Sequence, residues 1–370
     1  MIIGIPKEIK IHEYRVGANP ELVHILVKAG HKVLIETNAG ASLNYTDELY
    51  ESMGAQIMPK AEDVWKADMV IKVKEPQPAE FPFFHDNLIL FCFLHLSPEP
   101  KLTKALIDSK VVAIAWETVS NQFNQLPILI PMSEIAGRIA IQVGATCLQM
   151  SHGGKGLLLG GVPGVPPADV VVIGGGIVGL NAARMAVGLG AHVTILDTNL
   201  DRLRTIDNIF ESKLRTLYST EMTIDRILQS ADLVVGAVLI PGKLAPKVVT
   251  NKMLKKMQPK TVVVDVAIDQ GGCFESSKPT SHADPTYFHE EILHYCVTNM
   301  PGVCAKTATK ALMNAITPYT LELANLGYKK AFVHDKGLRD GLNVYRGIVT
   351  NKNVADDLGY EYHAPEKVIR

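Results

Sequence analysis

The chain has 370 residues, with 37 basic against 38 acidic side chains and a formal net charge of -1 at pH 7, so it lacks the positive field that nucleic acid or an anionic membrane surface would require of a partner. Hydrophobic residues make up 47% and charged residues 20%, which excludes a disordered chain, and Gly, Pro or charge interrupts every apolar run before the ~20 residues of a membrane-spanning helix. A single core rarely serves more than roughly 250–300 residues, so two domains are expected.

Taken in chain order, short β-branched runs alternate with helical spacing, the pattern of parallel sheets built from βαβ units in an α/β protein. The first third predicts strands at Ile2–Ile5, Lys32–Glu36, Met69–Val73, Leu88–Leu94 and Val111–Trp116, with helices near Pro20–Ala29, Asp47–Met53 and Pro98–Ser109. A second series follows at Asp169–Ile173, His192–Leu196, Leu233–Val238, Thr261–Ala267 and Tyr295–Thr298. Helical spacing over 131–150 and 307–326 predicts two connecting helices. The expected division is therefore a discontinuous first domain, 1–130 with 305–370, and a second domain over 131–304. Both are expected to hold doubly wound parallel sheets, the first flavodoxin-like and the second a Rossmann domain. The Pro/Gly-rich stretch 153–167 is then a loop entering the second sheet.

The most specific motif is Gly174-Gly175-Gly176-Ile177-Val178-Gly179, a GxGxxG directly after an apolar strand and opening a helix. Gly174 permits the tight turn, Gly176 lets backbone approach a pyrophosphate, Gly179 lets helix pack on strand, and the helix N-terminus offers N–H donors. Asp197 ends the next strand at the distance where an adenosine ribose needs an acceptor, and its charge opposes a 2′-phosphate, so the cofactor is expected to be NAD and not NADP. Arg202 is near enough in sequence to touch the adenosine side.

Arg15, Lys74, His95 and Asp269 each follow the carboxyl end of an expected parallel strand. Ligands of open α/β sheets bind outside those ends, so two facing domains would direct these groups to one cleft. Two cations, an imidazole and a carboxylate suit a small carboxylic acid whose reaction needs a proton shuttle. Asp269 precedes the paired glycines Gly271-Gly272, which would let backbone approach a nicotinamide ring. Asp265, inside the run, is expected to make structural hydrogen bonds. The segment His289-Glu290-Glu291-Ile292-Leu293-His294 is no zincin, because its histidines are one position too far apart to share a helix face, and no metal site is expected. Neither a GxSxG elbow nor a P-loop appears. Met1–Glu8 shows no charged leader, and the cysteines at 92, 147, 273, 296 and 304 have no CxxC spacing. A reducing cytoplasm is therefore expected.

Several segments together resemble bacterial alanine dehydrogenases and, more widely, the superfamily they share with the NAD-binding subunit of transhydrogenase. These are Gly4-Ile5-Pro6-Lys7-Glu8, Glu13-Tyr14-Arg15-Val16, Pro131-Met132-Ser133-Glu134-Ile135-Ala136-Gly137-Arg138, His152-Gly153-Gly154-Lys155-Gly156, Ile268-Asp269-Gln270-Gly271-Gly272-Cys273 and Asn299-Met300-Pro301-Gly302. The resemblance implies reversible, NAD-dependent oxidative deamination of L-alanine to pyruvate and ammonia, in a homohexamer. It implies Arg15 on the substrate carboxylate, Lys74 on the carbonyl oxygen, His95 and Asp269 as the catalytic pair, and Met132 and Asn299 lining the pocket. For NAD it implies Ser133, Ile177, Val178, Asp197, Arg202, Ser219, Val238, Leu239, Val266, Ala267, Ile268, Asp269, Lys278, Val297, Thr298, Asn299 and Met300. Asn19, Gly175 and Lys278 stand where the resemblance expects Thr, Ala and Arg, and lysine lacks the planar fork of arginine. The transhydrogenase subunit differs by an Arg-Ala-Gln-x-Met-Asp-like loop where this chain has Met132–Gly137. A decayed NAD sensor would not be expected to keep Arg15, Lys74, His95 and Asp269 together.

Overall fold

A computed structural model describes residues 1–238 and 244–369. It separates into two compact units, 1–132 with the described residues from 302 onward, and 133–301. The chain leaves the first unit within the helix Ile130–Cys147 and re-enters it in the one-turn helix Met300–Cys304.

The first unit holds β1 (Ile2–Ile5), β2 (Lys32–Glu36), β3 (Gln56–Met58), β4 (Met69–Ile71), β5 (Ile89–Cys92) and β6 (Val112–Ala115). These pair in parallel in the order β3-β2-β1-β4-β5-β6. The five strands expected from sequence lie in flavodoxin-like order, 2-1-3-4-5 among themselves, and the short β3 extends that edge. Strands β4 to β6 are buried along their whole length, as sheets covered on both faces require, which is why they read as unbroken apolar runs. Pro20 opens the first helix, Pro20–Lys28, and Asn19 Oδ1 caps it by accepting the Leu22 N–H at 2.9 Å. Asparagine thus does at position 19 what threonine would do.

The second unit holds β7 (Asp169–Ile173), β8 (His192–Asp197), β9 (Arg215–Tyr218), β10 (Leu233–Gly236), β11 (Val262–Asp265), β12 (Thr286–His289) and β13 (Ile292–Tyr295). Its order is β9-β8-β7-β10-β11-β13 with β12 antiparallel outside β13. Relabelled within the unit this is 3-2-1-4-5-6, the Rossmann order. The last parallel strand lies three residues earlier than the sequence predicts, because Glu290 and Glu291, both left-handed (φ 47° and 59°), turn a tight β12–β13 hairpin. The HExxH-like segment is therefore a hairpin and not a helix. His294 is fully buried, its ring bonded to Ser276 Oγ at 2.7 Å, and burial pushes it down to about 4. It is a neutral core residue.

Residues after 340 supply β14 (Leu342–Tyr345) and β15 (Ile348–Val349), which continue the first sheet antiparallel beyond β6. The helix expected over 307–326 runs from Ala305 to His334, interrupted at Gly327 (φ 71°).

Candidate active site

In the first sheet the strand order reverses between β1 and β4, the topological switch point at which ligands of such sheets bind. Arg15 lies beyond β1, Lys74 beyond β4 and His95 beyond β5, three adjacent parallel strands, so all three emerge at one edge. The loop after β1 is tied down by a buried cluster. Lys72 is fully buried and donates to Glu8 Oε2 at 3.1 Å and Glu80 Oε1 at 2.9 Å, while Glu8 Oε1 accepts the Val73 N–H at 2.6 Å. Burial pushes the Glu8 carboxyl up against the opposing pull of Lys72. The cluster explains why Pro6-Lys7-Glu8 belongs with the site although no residue of it was expected to act there.

Arg15 is 3% exposed and its guanidinium is gripped by Glu13. Its Nη1 donates to Met132 Sδ at 3.2 Å, bringing together two residues expected to share the substrate pocket. Lys74 Nζ is 3.4 Å from Glu75 Oε2, and Lys10 donates to Glu75 Oε1. Glu75 is itself 3% exposed. Burial disfavours its charge, but Lys74, Lys10 and His95 together hold its carboxyl below the ordinary value. The His95 side chain is 43% exposed, stacked on Phe93 with ring centroids 5.9 Å apart, and its Nδ1 is 4.0 Å from Glu117 Oε1. Glu13, Glu75 and Glu117 were not expected to take part. Only their places beside strand-end cations or histidine in a folded sheet give them a role, and sequence spacing carries no such signal for Glu117, 22 residues from His95.

In the second unit the switch point lies between β7 and β10, and the glycine turn sits there. Gly174 is left-handed (φ 103°), and a Cβ on it would lie 2.7 Å from the Ala237 carbonyl. A Cβ on Gly179 would lie 1.8 Å from the Gly174 carbonyl, so this glycine permits helix to close on strand. A Cβ on Gly176 would meet nothing within 4 Å. The space in front of Gly176 and the helix start at Ile177 and Val178 form a cradle fitting a pyrophosphate.

Asp197 ends β8, with Oδ2 accepting the Gly175 N–H at 2.7 Å and Oδ1 the Asn199 N–H at 2.8 Å. It thus braces the turn that it was expected to complement, and carboxylate lone pairs left over suit a ribose diol. Arg202 Cγ lies 3.2 Å from where a Gly175 Cβ would sit, so Arg202 borders the same turn. The Ser219 N–H donates to the Asp197 carbonyl at 3.0 Å. Ser133, in the first turns of the helix Ile130–Cys147, is half-buried, and a Cβ on nearby Gly137 would lie 2.2 Å from the Val178 carbonyl. Val238 is half-buried just past β10; Leu239 lies outside the described residues.

Val266, Ala267, Ile268 and Asp269 lie on the one-turn helix Val266–Gln270 after β11, which ends two residues sooner than the sequence predicts. Asp265 stops the strand: fully buried, it accepts from the Ala267 N–H at 3.0 Å, the Cys273 N–H at 2.8 Å and the Ser277 hydroxyl at 2.5 Å. That structural role was expected. Asp269 is exposed, and its Oδ1 accepts the Asn299 N–H at 3.2 Å, joining two expected site residues, with Val297, Thr298 and Met300 on the same segment. The Lys278 side chain is exposed and its backbone N–H donates to Tyr287 Oη at 2.8 Å. Among the described residues no group of three His, Cys, Asp or Glu is arranged to hold a metal ion.

A Rossmann-ordered sheet with this glycine turn and a second doubly wound unit in the same chain define a two-domain protein of the dinucleotide-fold class. Family models described as alanine dehydrogenase/PNT, N-terminal domain and C-terminal domain match residues 4–136 and 140–352. The chain belongs to the alanine dehydrogenase/PNT family. Alanine dehydrogenase 2 of Staphylococcus aureus (strain USA300) is 52% identical over 371 residues, covering 100% of both chains. A solved L-alanine dehydrogenase superposes with a TM-score of 0.94 at 48% identity, covering 97% of this chain and 99% of that one. The transhydrogenase of Sinorhizobium meliloti shares the fold, with a TM-score of 0.82 at 22% identity over 95% of this chain and 100% of that one.

Proposed function

We propose that this chain is an NAD-dependent amino-acid dehydrogenase that interconverts L-alanine with pyruvate and ammonia. The observation carrying this proposal is the grouping of Arg15, Lys74 and His95 at adjacent strand ends around the switch point of the first sheet. Full-length relatives called alanine dehydrogenase support alanine as the substrate.

Residues 1–130 and 305–370 act as the substrate domain and 131–304 as the NAD domain. Arg15 pairs with the substrate carboxylate and Lys74 hydrogen-bonds the oxygen of pyruvate, which fixes the orientation of the reacting carbon. Gly174, Gly176, Ile177, Val178 and Gly179 hold the pyrophosphate, with Asp197 on the adenosine ribose. Arg202, Ser219, Leu239, Lys278 and the segments Val266–Asp269 and Val297–Met300 line the rest of the cofactor's path. Bound NAD supplies the hydride acceptor. The substrate amine must be unprotonated to release hydride from its α-carbon, and His95 is the base and acid that handles the water and carbinolamine protons. Asp269 orients that water and stabilises the cationic iminium. We assign a homohexamer working in the cytoplasm, with small molecules and no nucleic acid or membrane as partners.

Absorbance at the NADH band, followed with purified protein, NAD and L-alanine, tests the activity. NADH is expected from L-alanine, faster at alkaline pH, and none from D-alanine. NAD binding without NADH formation would leave a sensor or a transhydrogenase-like subunit in its place.

A further inference from the structure

His95 leaves β5 through an unusual turn. Its φ is 48°, the left-handed region that a residue bearing a Cβ avoids. The backbone donors along this strand end can be followed one by one. Phe93 N–H still donates across the sheet, to the Val73 carbonyl at 3.1 Å. The next two N–H groups go elsewhere, both to the side chain of Glu117. Leu94 N–H reaches Oε1 and Oε2 at 3.2 Å each, and His95 N–H reaches Oε1 at 2.7 Å.

Glu117 sits on the one-turn helix Trp116–Thr118 directly after β6, and β6 pairs with β5. The two residues thus leave neighbouring parallel strands at the same end. Leu94 and Leu96 are buried while the imidazole between them is substantially exposed, so the backbone must swing the His95 side chain outward and return within one residue. A carboxylate suits this swing, because its two oxygens accept both diverging N–H groups as charge-assisted bonds. A strained backbone persists where its surroundings over-determine it, and the Glu117 carboxylate meets both backbone N–H groups of this turn.

We propose that Glu117 is a positioning residue for His95, holding the left-handed turn at the end of β5 and so setting the direction in which the imidazole leaves the sheet. The proposal rests on His95 being the acid/base group of the proposed dehydrogenase. Glutamine at 117 keeps one accepting oxygen and turns its amide donor toward the remaining N–H. Alanine keeps none.

Hydrogen exchange of the peptide spanning residues 93–98, measured beside steady-state kinetics and thermal unfolding, tests this on wild type, Glu117→Ala and Glu117→Gln. Loss of both acceptors in Glu117→Ala is expected to speed exchange of the Leu94 and His95 amides about tenfold or more. It should also lower kcat by about 10²-fold, as a misplacement of order 1 Å does, with the KM for alanine and the affinity for NAD within about threefold of wild type. Glu117→Gln should recover part of kcat and of the protection. Unchanged exchange in Glu117→Ala would overturn the proposal, as would faster exchange with wild-type kcat. So would a glutamine variant no better than alanine when both losses merely track the folded fraction. If wild type itself made no NADH from alanine, the proposed activity would fail instead, and the exchange comparison would still decide whether Glu117 holds the turn.

Discussion

Glu13 grips Arg15 along one edge of its guanidinium, with Oε1 accepting Nε at 2.7 Å and Oε2 accepting Nη2 at 2.5 Å. Oε1 also accepts the Arg15 backbone N–H at 3.0 Å, so side chain and main chain are fixed by the same carboxylate. Such a fork sets the guanidinium plane before substrate arrives, which removes an ordering cost from binding.

Glu13→Gln is accordingly expected to raise the KM for pyruvate about tenfold with a smaller change in kcat, one charge-assisted bond being worth roughly 1.5–3 kcal/mol in its strong form. Glu13→Ala leaves a buried guanidinium without its carboxylate and should cost about 3–5 kcal/mol of stability. Pyruvate kinetics and urea unfolding measure the two effects separately. An unaltered KM in the glutamine variant would mean that Arg15 does not meet substrate in this preset orientation.

His95→Ala and Asp269→Ala should each lower kcat by roughly 10²–10⁴, the usual loss for a general acid or base. Isothermal titration with NAD should give nearly wild-type affinity for the His95 variant. Turnover near normal in that variant would reduce His95 to a strand-end residue.

The two glycines of the turn make opposite predictions. A methyl group on Gly176 meets open space, whereas one on Gly179 would be driven to 1.8 Å from the Gly174 carbonyl. Gly176→Ala should keep the wild-type Tm and lose NAD affinity, about tenfold or more, because its methyl group occupies the pyrophosphate approach. Gly179→Ala should lose stability first. Equal NAD affinity in Gly176→Ala would place the pyrophosphate elsewhere.

Asp197→Ser should weaken NAD by about ten- to a hundredfold and raise the relative use of NADP, because the like charge facing a 2′-phosphate disappears. The variant also leaves the Gly175 and Asn199 N–H groups with a shorter partner, so a small drop in Tm is expected alongside. Adding Arg202→Ala should erase part of the NADP gain. Ratios of kcat/KM for the two cofactors decide it, and a constant ratio would mean that Asp197 serves only the turn.

Glu75 makes a pH prediction. Burial alone would raise its carboxyl, yet Lys74, Lys10 and His95 hold it below its ordinary 4.5. A depressed folded value contributes stability above the unfolded value, and that contribution fades as pH falls through the folded one. Glu75→Gln should therefore be less stable than wild type near neutrality, the two curves converging in acid. Urea midpoints between about pH 7 and about pH 2 would show it; parallel curves would contradict it.

What sequence made legible was whatever depends on local order. The glycine turn, the apolar strands such as Val262–Val264 and the strand-end places of Arg15, Lys74 and His95 follow from periodicity and from residues adjacent in the chain. β3, β9, β12, β14 and β15 escaped it. β3 has three residues and β9 has no buried position, its two half-buried residues lying between exposed ones, while β14 is an antiparallel insertion beside a strand some 230 residues earlier, which no local pattern encodes. The same limit hid Glu117. Its function is a distance in space from the Leu94 and His95 amides, and a glutamate after a buried strand reads as a solvated residue until the neighbouring strand is in place. Asp269 was legible as a strand-end acid, but the short helical turn that carries it depends on the caps that Asp265 makes to Ala267 and Cys273.

The antiparallel pair β14 and β15 also sets a schedule for synthesis. The seven strands of the second sheet among the described residues lie between residues 169 and 295 and emerge from the ribosome as one continuous block, able to close their own ladder as they appear. The first sheet must wait. Its parallel strands end at residue 115, and the free edge of β6, with the buried Val112–Ala115 run behind it, stays unpaired until residues 342–345 have been made. A growing chain therefore carries an open hydrophobic edge for more than two hundred residues, the feature that invites pairing with a neighbouring nascent chain. Ribosome stalling before residue 342 should leave the second unit protease-resistant and the first one dependent on a chaperone.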